Sequence, residues 1–342
     1  MPYSLLNPYF PATSYTRLSD NENPYAGEYC RYPDPNPVAL QRLYLDFLLH
    51  EQTNYQVKDP SKPLTEENIL FCNGSIEAID LLLRSFCNPN VDRMCITSPT
   101  FVMFKHWALA YAIPLIEVPL KGESYQSLDV DQIIQSNAKI LFLCNPNNPV
   151  GNVFPYIDIL TVVKNFKGVI VIDEAYHEFG KSPSYIGLID EFPNLVIIRT
   201  FSKAWGLAGL RAGAIIAEQS LLNAIECIKP PFSFSSSAQT QLKKALENTD
   251  ALKKTWDAII QERDRFRFAL AKLACVDKIF PSSTNFLLIR FKNPLKILEA
   301  LSLSSVSVNN SGNSIKDTLR ISVGTPTETD RVIKILKNYR DG

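Results

Sequence analysis

Four short apolar-rich runs, each ending abruptly in a polar turn, set the tightest limit on what this chain can fold into. They are Met94–Thr97, Ile140–Cys144, Val169–Ile172 and Leu195–Arg199. Runs of this length bounded by turn residues read as strands buried on both faces. Helical patterns at 38–50 and 102–111 and a further strand at 114–118 alternate with them. Such alternation is the signature of an α/β fold, a mostly parallel sheet flanked by helices. Open α/β sheets bind ligands at the carboxyl edge of their strands, so the residues just after each run are the functional candidates.

After the last run comes Thr200-Phe201-Ser202-Lys203, with Arg211 eight residues beyond the lysine. A lysine at a strand end suits an amine that joins an aldehyde cofactor, and the serine and arginine suit an anchored phosphate. A loop lysine beside a small-residue turn is the plainer alternative. The run before it ends in Asp173-Glu174-Ala175-Tyr176. A carboxylate there can pair with the ring nitrogen of pyridoxal 5′-phosphate (PLP), which lets the ring accept electrons; the alternative is a helix cap. Ile140–Cys144 leads into Asn145-Pro146-Asn147-Asn148-Pro149-Val150-Gly151. Its amide, with the Tyr176 phenol, can hydrogen-bond a phenolic oxygen. Ser98-Pro99-Thr100-Phe101 places a ring on the same edge, to stack on a cofactor or to join the core. Asn73-Gly74-Ser75-Ile76-Glu77 precedes an amphipathic pattern through Ile79, Leu82, Leu83 and Phe86. That is a glycine turn into a helix N-terminus, whose free N–H groups favour an anion. Each motif alone is weak, but the order Asn-Pro, Asp-x-x-Tyr, Ser-Lys, Arg is specific.

These motifs resemble those of the fold-type I PLP-dependent aminotransferases, and within that superfamily the chain is most similar to the histidinol-phosphate aminotransferases. The resemblance runs from Asn21–Tyr25 and Arg31–Pro35 to Leu319–Thr325. It implies PLP as cofactor, with Lys203 as the lysine that carries it, Asp173 as its pyridinium partner, and Asn148 and Tyr176 as donors to its phenolate. Phe101 takes the ring-stacking place, where the family often has tyrosine. The backbone at Ser75 and Ile76, with Ser202 and Arg211, would hold the phosphate. Tyr32 would reach the cofactor phosphate of a neighbouring subunit, which implies a homodimer. Tyr9, Asn23 and Arg320 match substrate-contacting positions. The implied reaction exchanges an amino group between L-histidinol phosphate/imidazole-acetol phosphate and glutamate/2-oxoglutarate, in histidine biosynthesis. The same scaffold also serves aromatic and other amino-acid transaminases, threonine-phosphate decarboxylases and some DNA-binding regulators. Three departures stand out: Val150 replaces the threonine of the family's Asn-Pro-Thr-Gly, the arm before Asn21 is short, and Asn309 falls where relatives place a second arginine.

A chain of 342 residues with 46% hydrophobic content suits one large domain and one smaller one. The expected divisions are an arm over 1–37, a large PLP-binding α/β domain over 38–228 and a small α+β domain over 229–342. Seven of the 23 prolines lie in the first 37 residues, which makes the arm extended, and its aromatics Tyr25, Tyr29 and Tyr32 argue for docking onto a surface. Past Pro230-Pro231 the stretch 236–273 is helix-compatible; strands are expected at 286–290 and 319–323, and helices around 294–301 and 329–339. Thirty-five basic and thirty-five acidic residues balance without a basic run, which speaks against nucleic acid or an anionic membrane as partner. No stretch approaches the ~20 apolar residues of a membrane span, and the first residues lack a signal-peptide pattern. Seven scattered cysteines read as reduced thiols of a cytoplasmic protein. Three histidines without ligand spacing predict no metal site. The closeness of residue 1 to the arm predicts no DNA-binding head.

Overall fold

The computed structural model describes residues 16–53, 63–180 and 182–339. Seven strands form the main sheet: β1 (Ile69–Cys72), β2 (Met94–Ser98), β3 (Leu115–Pro119), β4 (Ile140–Cys144), β5 (Val169–Asp173), β6 (Leu195–Thr200) and β7 (Gly213–Ala217). Their order is β1-β7-β6-β5-β4-β2-β3. Strands β3, β2, β4, β5 and β6 pair in parallel, and β7 runs antiparallel between β6 and β1. The four runs that opened the sequence reading are β2, β4, β5 and β6. Strands β1 and β7 escaped that reading because one has four residues and the other begins Gly-Ala, too small to signal burial.

Residues of β4 to β7 are buried throughout, because helices cover both faces. Side chains alternate between the faces along a strand. Leu141, Leu143, Ile170, Ile172 and Ile197 pack with Tyr44 and Leu48 of the helix Val38–Thr53. Phe142, Val171 and Ile198 pack with Ile79, Leu82 and Leu83 of the helix Gly74–Phe86. Each fully buried side chain of this size contributes roughly 1.5–3 kcal/mol. Two covered faces therefore leave the strand ends as the place where polar groups meet water.

A second, antiparallel sheet follows, with β8 (Val276–Ile279), β9 (Phe286–Phe291), β10 (Asn309–Asn310) and β11 (Thr318–Ser322) in the order β10-β11-β9-β8. Leu287, Ile289, Leu319 and Ile321 pack on one side against Ile297, Leu301, Val332 and Leu336 of the helices Pro294–Leu303 and Pro326–Asn338. Arg320, between Leu319 and Ile321, belongs to the opposite side. The helix-compatible stretch is two helices, Ser236–Leu246 and Thr249–Leu270. The longer one bridges the cores, with Trp256 in the first and Phe266 and Leu270 in the second. Among the described arm residues, Glu22 pairs with Arg17 and Arg31 at 3.1 and 2.6 Å. Gln239 Nε2 ties the arm to the main body by donating to the Asp34 carbonyl at 2.7 Å.

Gly213 sits across from Cys72 on one side and Thr200 on the other, between the ends of β1 and β6. A Cβ there would lie 2.7 Å from the carbonyl carbon of Gly74 and 3.0 Å from the Ser75 nitrogen. Only glycine lets the turn after β1 approach the turn after β6 this closely. Gly213→Ala should therefore cost about 1–3 kcal/mol, as overpacking does. Gly209→Ala, where nothing lies within 4 Å, should stay within about 0.5 kcal/mol. Urea denaturation of both variants checks the difference.

Candidate active site

The carboxyl ends of the parallel strands and the inner side of the second sheet enclose a cavity of about 370 Å³. Ser75, Phe101, Asn148, Asp173, Tyr176, Lys203 and Arg320 line it. Each of the first six stands just beyond, or at the end of, a different or neighbouring strand, so the sheet itself gathers them. A larger cleft of about 740 Å³ lies at the opposite edge, where Arg93, Lys139, Gly168 and Asn194 precede β2, β4, β5 and β6. Helix ends there are carboxyl-terminal and carry the negative end of the helix dipole, which fits that edge poorly for phosphate.

Asp173 is 2% exposed. Burial pushes its carboxyl up to about 7, Glu174 adds to the rise, and the Ala175 N–H and Lys203 oppose it. One carboxylate oxygen accepts from Ala175 N at 3.0 Å. Among the described residues the other takes no protein donor, so a cationic N–H in the cavity would complete it. Lys203 is open to the cavity yet ringed by protein. Burial and the nearby Arg320 hold its ammonium below its ordinary value, with a smaller push from Arg211 and an opposing pull from Asp173. Its nitrogen lies 5.8 Å from the centre of the Tyr176 ring. The residues after it are pinned: Trp256 Nε1 donates to the Ala204 carbonyl at 2.7 Å and Trp205 Nε1 to Glu178 at 3.0 Å.

Asn148 is buried, and its Nδ2 donates to the Tyr176 hydroxyl at 3.2 Å. Its Oδ1 accepts from Arg320 Nη1. One amide thus joins the second sheet to a phenol of the first. Burial raises the Tyr176 phenol well above its usual range, with Cys144 adding and Arg320 opposing. That keeps the phenol protonated and a donor.

The features of a phosphate cradle lie beside the cavity. The helix Gly74–Phe86 starts with Gly74 at φ +76°, and a Cβ on it would meet Arg211 Nη2 at 2.9 Å. The first N–H groups of a helix, here Ser75 and Ile76, have no partner within it. Arg211 adopts a left-handed conformation (φ 55°), which costs a non-glycine residue about 1–3 kcal/mol. Its Nη1 donates to Ser202 Oγ at 3.3 Å. A guanidinium, a hydroxyl and unpaired N–H groups around a space that a Cβ would fill fit a phosphate dianion.

Ile76, Ser202 and Arg211 flank the cavity rather than line it. Asn23 and Tyr32 are exposed and stand outside it: Asn23 Oδ1 accepts from Tyr25 N, and Tyr32 stacks on Phe232 at 4.7 Å. Tyr9 lies outside the described residues. Val150 is fully buried with Phe280, Leu288 and Ile315, so the methyl that replaces a hydroxyl there packs between the sheets. Sequence reasoning missed the wall formed by Asn310, Ser311, Asn313 and Ser314, along with Thr100 and Cys144. Of the run Asn309-Asn310-Ser311-Gly312-Asn313-Ser314 only Asn309 was singled out from the sequence; the density of amides and hydroxyls after it was the available signal. Asn309 is the cross-strand partner of Arg320, and its Oδ1 accepts from Ser311 Oγ at 3.0 Å. Among the described residues no cluster of His, Cys, Asp and Glu is arranged to hold a metal ion, and no helix is long and apolar enough to cross a membrane.

The profile of the aminotransferase class I and II family matches residues 21–336. The chain belongs to that family. Similar curated proteins include the histidinol-phosphate aminotransferase of Flavobacterium psychrophilum, 36% identical over 94% of this chain and 89% of the relative. That of Cytophaga hutchinsonii is 34% identical over 99% and 95%. Among solved structures, the histidinol-phosphate aminotransferase of Clostridium acetobutylicum superposes with a TM-score of 0.79 at 24% identity, covering 90% of each chain. The L-threonine-O-3-phosphate decarboxylase of Porphyromonas gingivalis does so at 0.76 and 22%, again over 90% of each. At these identities the two structures establish the shared fold, fold-type I.

The raised Asp173 carboxyl has a consequence for folding. Between about pH 4 and 7 the folded protein without cofactor keeps a proton that the unfolded chain has lost, so this group's contribution to stability falls as pH rises through that window. Asp173→Asn should stabilise the cofactor-free protein by on the order of 1–4 kcal/mol at pH 8, and by less at pH 5. Denaturant titrations at both pH values test this; equal stability at pH 8 would show that the carboxylate is already satisfied within the protein.

Proposed function

We propose that this chain is a PLP-dependent transaminase that passes an amino group between L-histidinol phosphate and 2-oxoglutarate, giving imidazole-acetol phosphate and glutamate, and the reverse. The observation that carries the reading is the half-satisfied, buried Asp173 carboxylate sharing one cavity with Lys203. The substrate follows from the curated relatives named above, whose activity is the one printed in their names. The decarboxylase likeness rests on fold alone and adds no support for that chemistry.

When bound, PLP supplies an aldehyde that amines can join and a ring that accepts the electron pair left on carbon when its proton departs. The chain supplies the rest. Asp173 holds a proton at the ring nitrogen, because a carboxylate buried without a full partner is best stabilised by a cation. Lys203, with its amine shifted toward the neutral form, takes the proton from the substrate's α-carbon and returns it. Asn148 and Tyr176 donate hydrogen bonds to a phenolate oxygen. Phe101 covers a ring face, and the Ser75 and Ile76 N–H groups, Ser202 and Arg211 hold phosphate. Arg320 receives the anionic end of the substrate through its planar, two-pronged donor set, which fits carboxylate and phosphate alike. The resemblance to relatives is the sole support for Tyr9 and Asn23 as further substrate contacts.

We place the enzyme in the cytoplasm, as a homodimer in which Tyr32 serves the neighbouring subunit's phosphate. Support comes from the surface of the arm, where Tyr25 is 95% exposed, Tyr29 is also exposed, and Tyr32 is half-exposed beside Phe232. Apolar rings left facing solvent on one segment suit an interface.

Half-reactions of the holoenzyme with histidinol phosphate, glutamate, phenylalanine and threonine phosphate test the function. Histidinol phosphate should be the best amino donor by kcat/KM; a preference for phenylalanine would overturn the substrate assignment, and release of CO₂ from threonine phosphate would overturn the reaction type. Borohydride reduction followed by peptide mapping should place the pyridoxyl group on Lys203, and Lys203→Ala should abolish turnover. Arg320→Ala should lower kcat/KM about 10- to 100-fold for both glutamate and histidinol phosphate, the worth of one charge-assisted hydrogen bond. An effect on only one of them would show that the two anions bind apart. Sedimentation should give a dimer, and Tyr32→Phe should weaken PLP affinity.

A further inference from the structure

We propose that Arg199 is a positioning residue for Asp173: by neutralising Glu174, the next residue along the chain, it keeps Asp173 in its anionic form at the floor of the cavity. The consequence for catalysis rests on the role assigned to Asp173 above; the control of its charge does not.

Asp173 is the last residue of β5 and pairs across the sheet with Ile198 of β6. The ladder continues one residue further, with Glu174 N donating to the Ile198 carbonyl at 2.9 Å. Arg199, 1% exposed, follows Ile198, and its Nε donates to Glu174 Oε2 at 2.8 Å. Glu174 is held in place from its other side by Ser184 Oγ at 2.7 Å and Tyr185 N at 2.9 Å. It therefore cannot swing away to water if its cation is lost.

The guanidinium is shared. Glu178 lies 3.5 Å from its Nη1 and Glu51, at the end of the helix Val38–Thr53, lies 3.6 Å away. Burial pushes Glu51 up to about 7 and raises Glu178, against the pull of Arg199. Burial lowers the Arg199 guanidinium, but Glu174, Glu51 and Glu178 together raise it above its ordinary value. The other groups facing the cluster are the Tyr44 phenol, Lys253 beside Glu51, and His177, which burial and Arg199 keep neutral. Facing Asp173 itself are Glu174, Lys203, Cys144 and Tyr176.

One buried cation thus neutralises the carboxylate that follows Asp173 along the chain. A like charge within a few ångströms disfavours ionisation, typically by one unit or more in a buried setting. Asp173 has little margin, because burial has already brought its titration close to neutral pH. Without Arg199, a buried Glu174 anion would tip Asp173 to its protonated form. Removing the charge of Glu174 as well should undo that effect on Asp173, since the carboxylate next to it in the chain is then gone, even though Glu51 and Glu178 also lose their cation.

The test follows Asp173 directly. The full chain without cofactor, carrying ¹³C-labelled aspartate carboxyls, is titrated by NMR, and the Asp173 signal is identified by its loss in Asp173→Asn. Arg199→Met should raise the Asp173 midpoint by about one pH unit or more. Arg199→Lys, which keeps the charge, should hold it near the wild-type value. Glu174→Gln should lower it, and the double variant Arg199→Met/Glu174→Gln should return it toward wild type. The acid limb of kcat/KM in the holoenzyme should move in the same directions. An unmoved midpoint in Arg199→Met, or a double variant as shifted as the single one, overturns the proposal and leaves Arg199 as a packing residue. Should Arg199→Met fail to fold, Glu174→Gln decides, and an unchanged midpoint there is equally fatal. Midpoints that move while the acid limb stays put would uphold the proposal and overturn the catalytic role of Asp173.

Discussion

A carboxylate at the buried end of an apolar strand is an unstable arrangement, and the rest of the site answers to it. Four apolar residues carry β5 through the centre of the sheet, and the fifth, Asp173, arrives where helices still cover both faces. Leaving that charge unpaired is costly in a low-dielectric setting. The backbone supplies one donor at Ala175, Lys203 supplies distant positive charge, and the remaining demand is met only from within the cavity. The site is thereby built to receive a cation at one fixed point. Stability given up there is recovered when the right group binds, since anything that binds only the folded state stabilises it.

The second constraint is that neither sheet makes the site alone. Asn148 connects them, donating to Tyr176 on one side and accepting from Arg320 on the other. Arg320 commits Nη1 to the amide oxygen of Asn148, and the other donors of the guanidinium are left for an anion. The long helix Thr249–Leu270, rooted in both cores, keeps the sheets in a common frame.

Much of this was legible in the chain, and for identifiable reasons. Short uninterrupted runs such as Val169–Ile172, β-branched throughout and bounded by turn residues, read as two-face strands, and the polar residues after them inherit the sheet's carboxyl edge. Lys203, Asp173, Asn148 and Arg211 were visible because each follows such a run or a glycine-rich turn. What stayed hidden depends on long-range pairing. Strand β7 opens on small residues because Gly213 must let two turns meet, and nothing nearby in sequence announces a neighbour some 140 residues earlier. The polar wall at Asn310–Ser314 is read as part of the site only once the second sheet is folded against the first. Arg199 was read only as the last residue of a strand, and its carboxylate neighbours come from two stretches far from it in sequence, one at Glu51 and one at Glu174 and Glu178.

The pairing of β11 carries a consequence for how this pocket can diverge among related chains. Arg320 faces the cavity because its two neighbours, Leu319 and Ile321, are committed to the opposite face, and β11 is bonded on both sides, to β9 and to β10. A strand slipped by one residue would turn the guanidinium into the apolar core and two leucine-sized side chains into water. Insertions and deletions are thus barred from the strand itself and confined to the polar turn between Asn310 and Thr318. New substrates must be reached by exchanging single side chains at fixed positions, Asn309 foremost, or by reshaping that turn. Anion capture at this end of the molecule is a property of sheet parity.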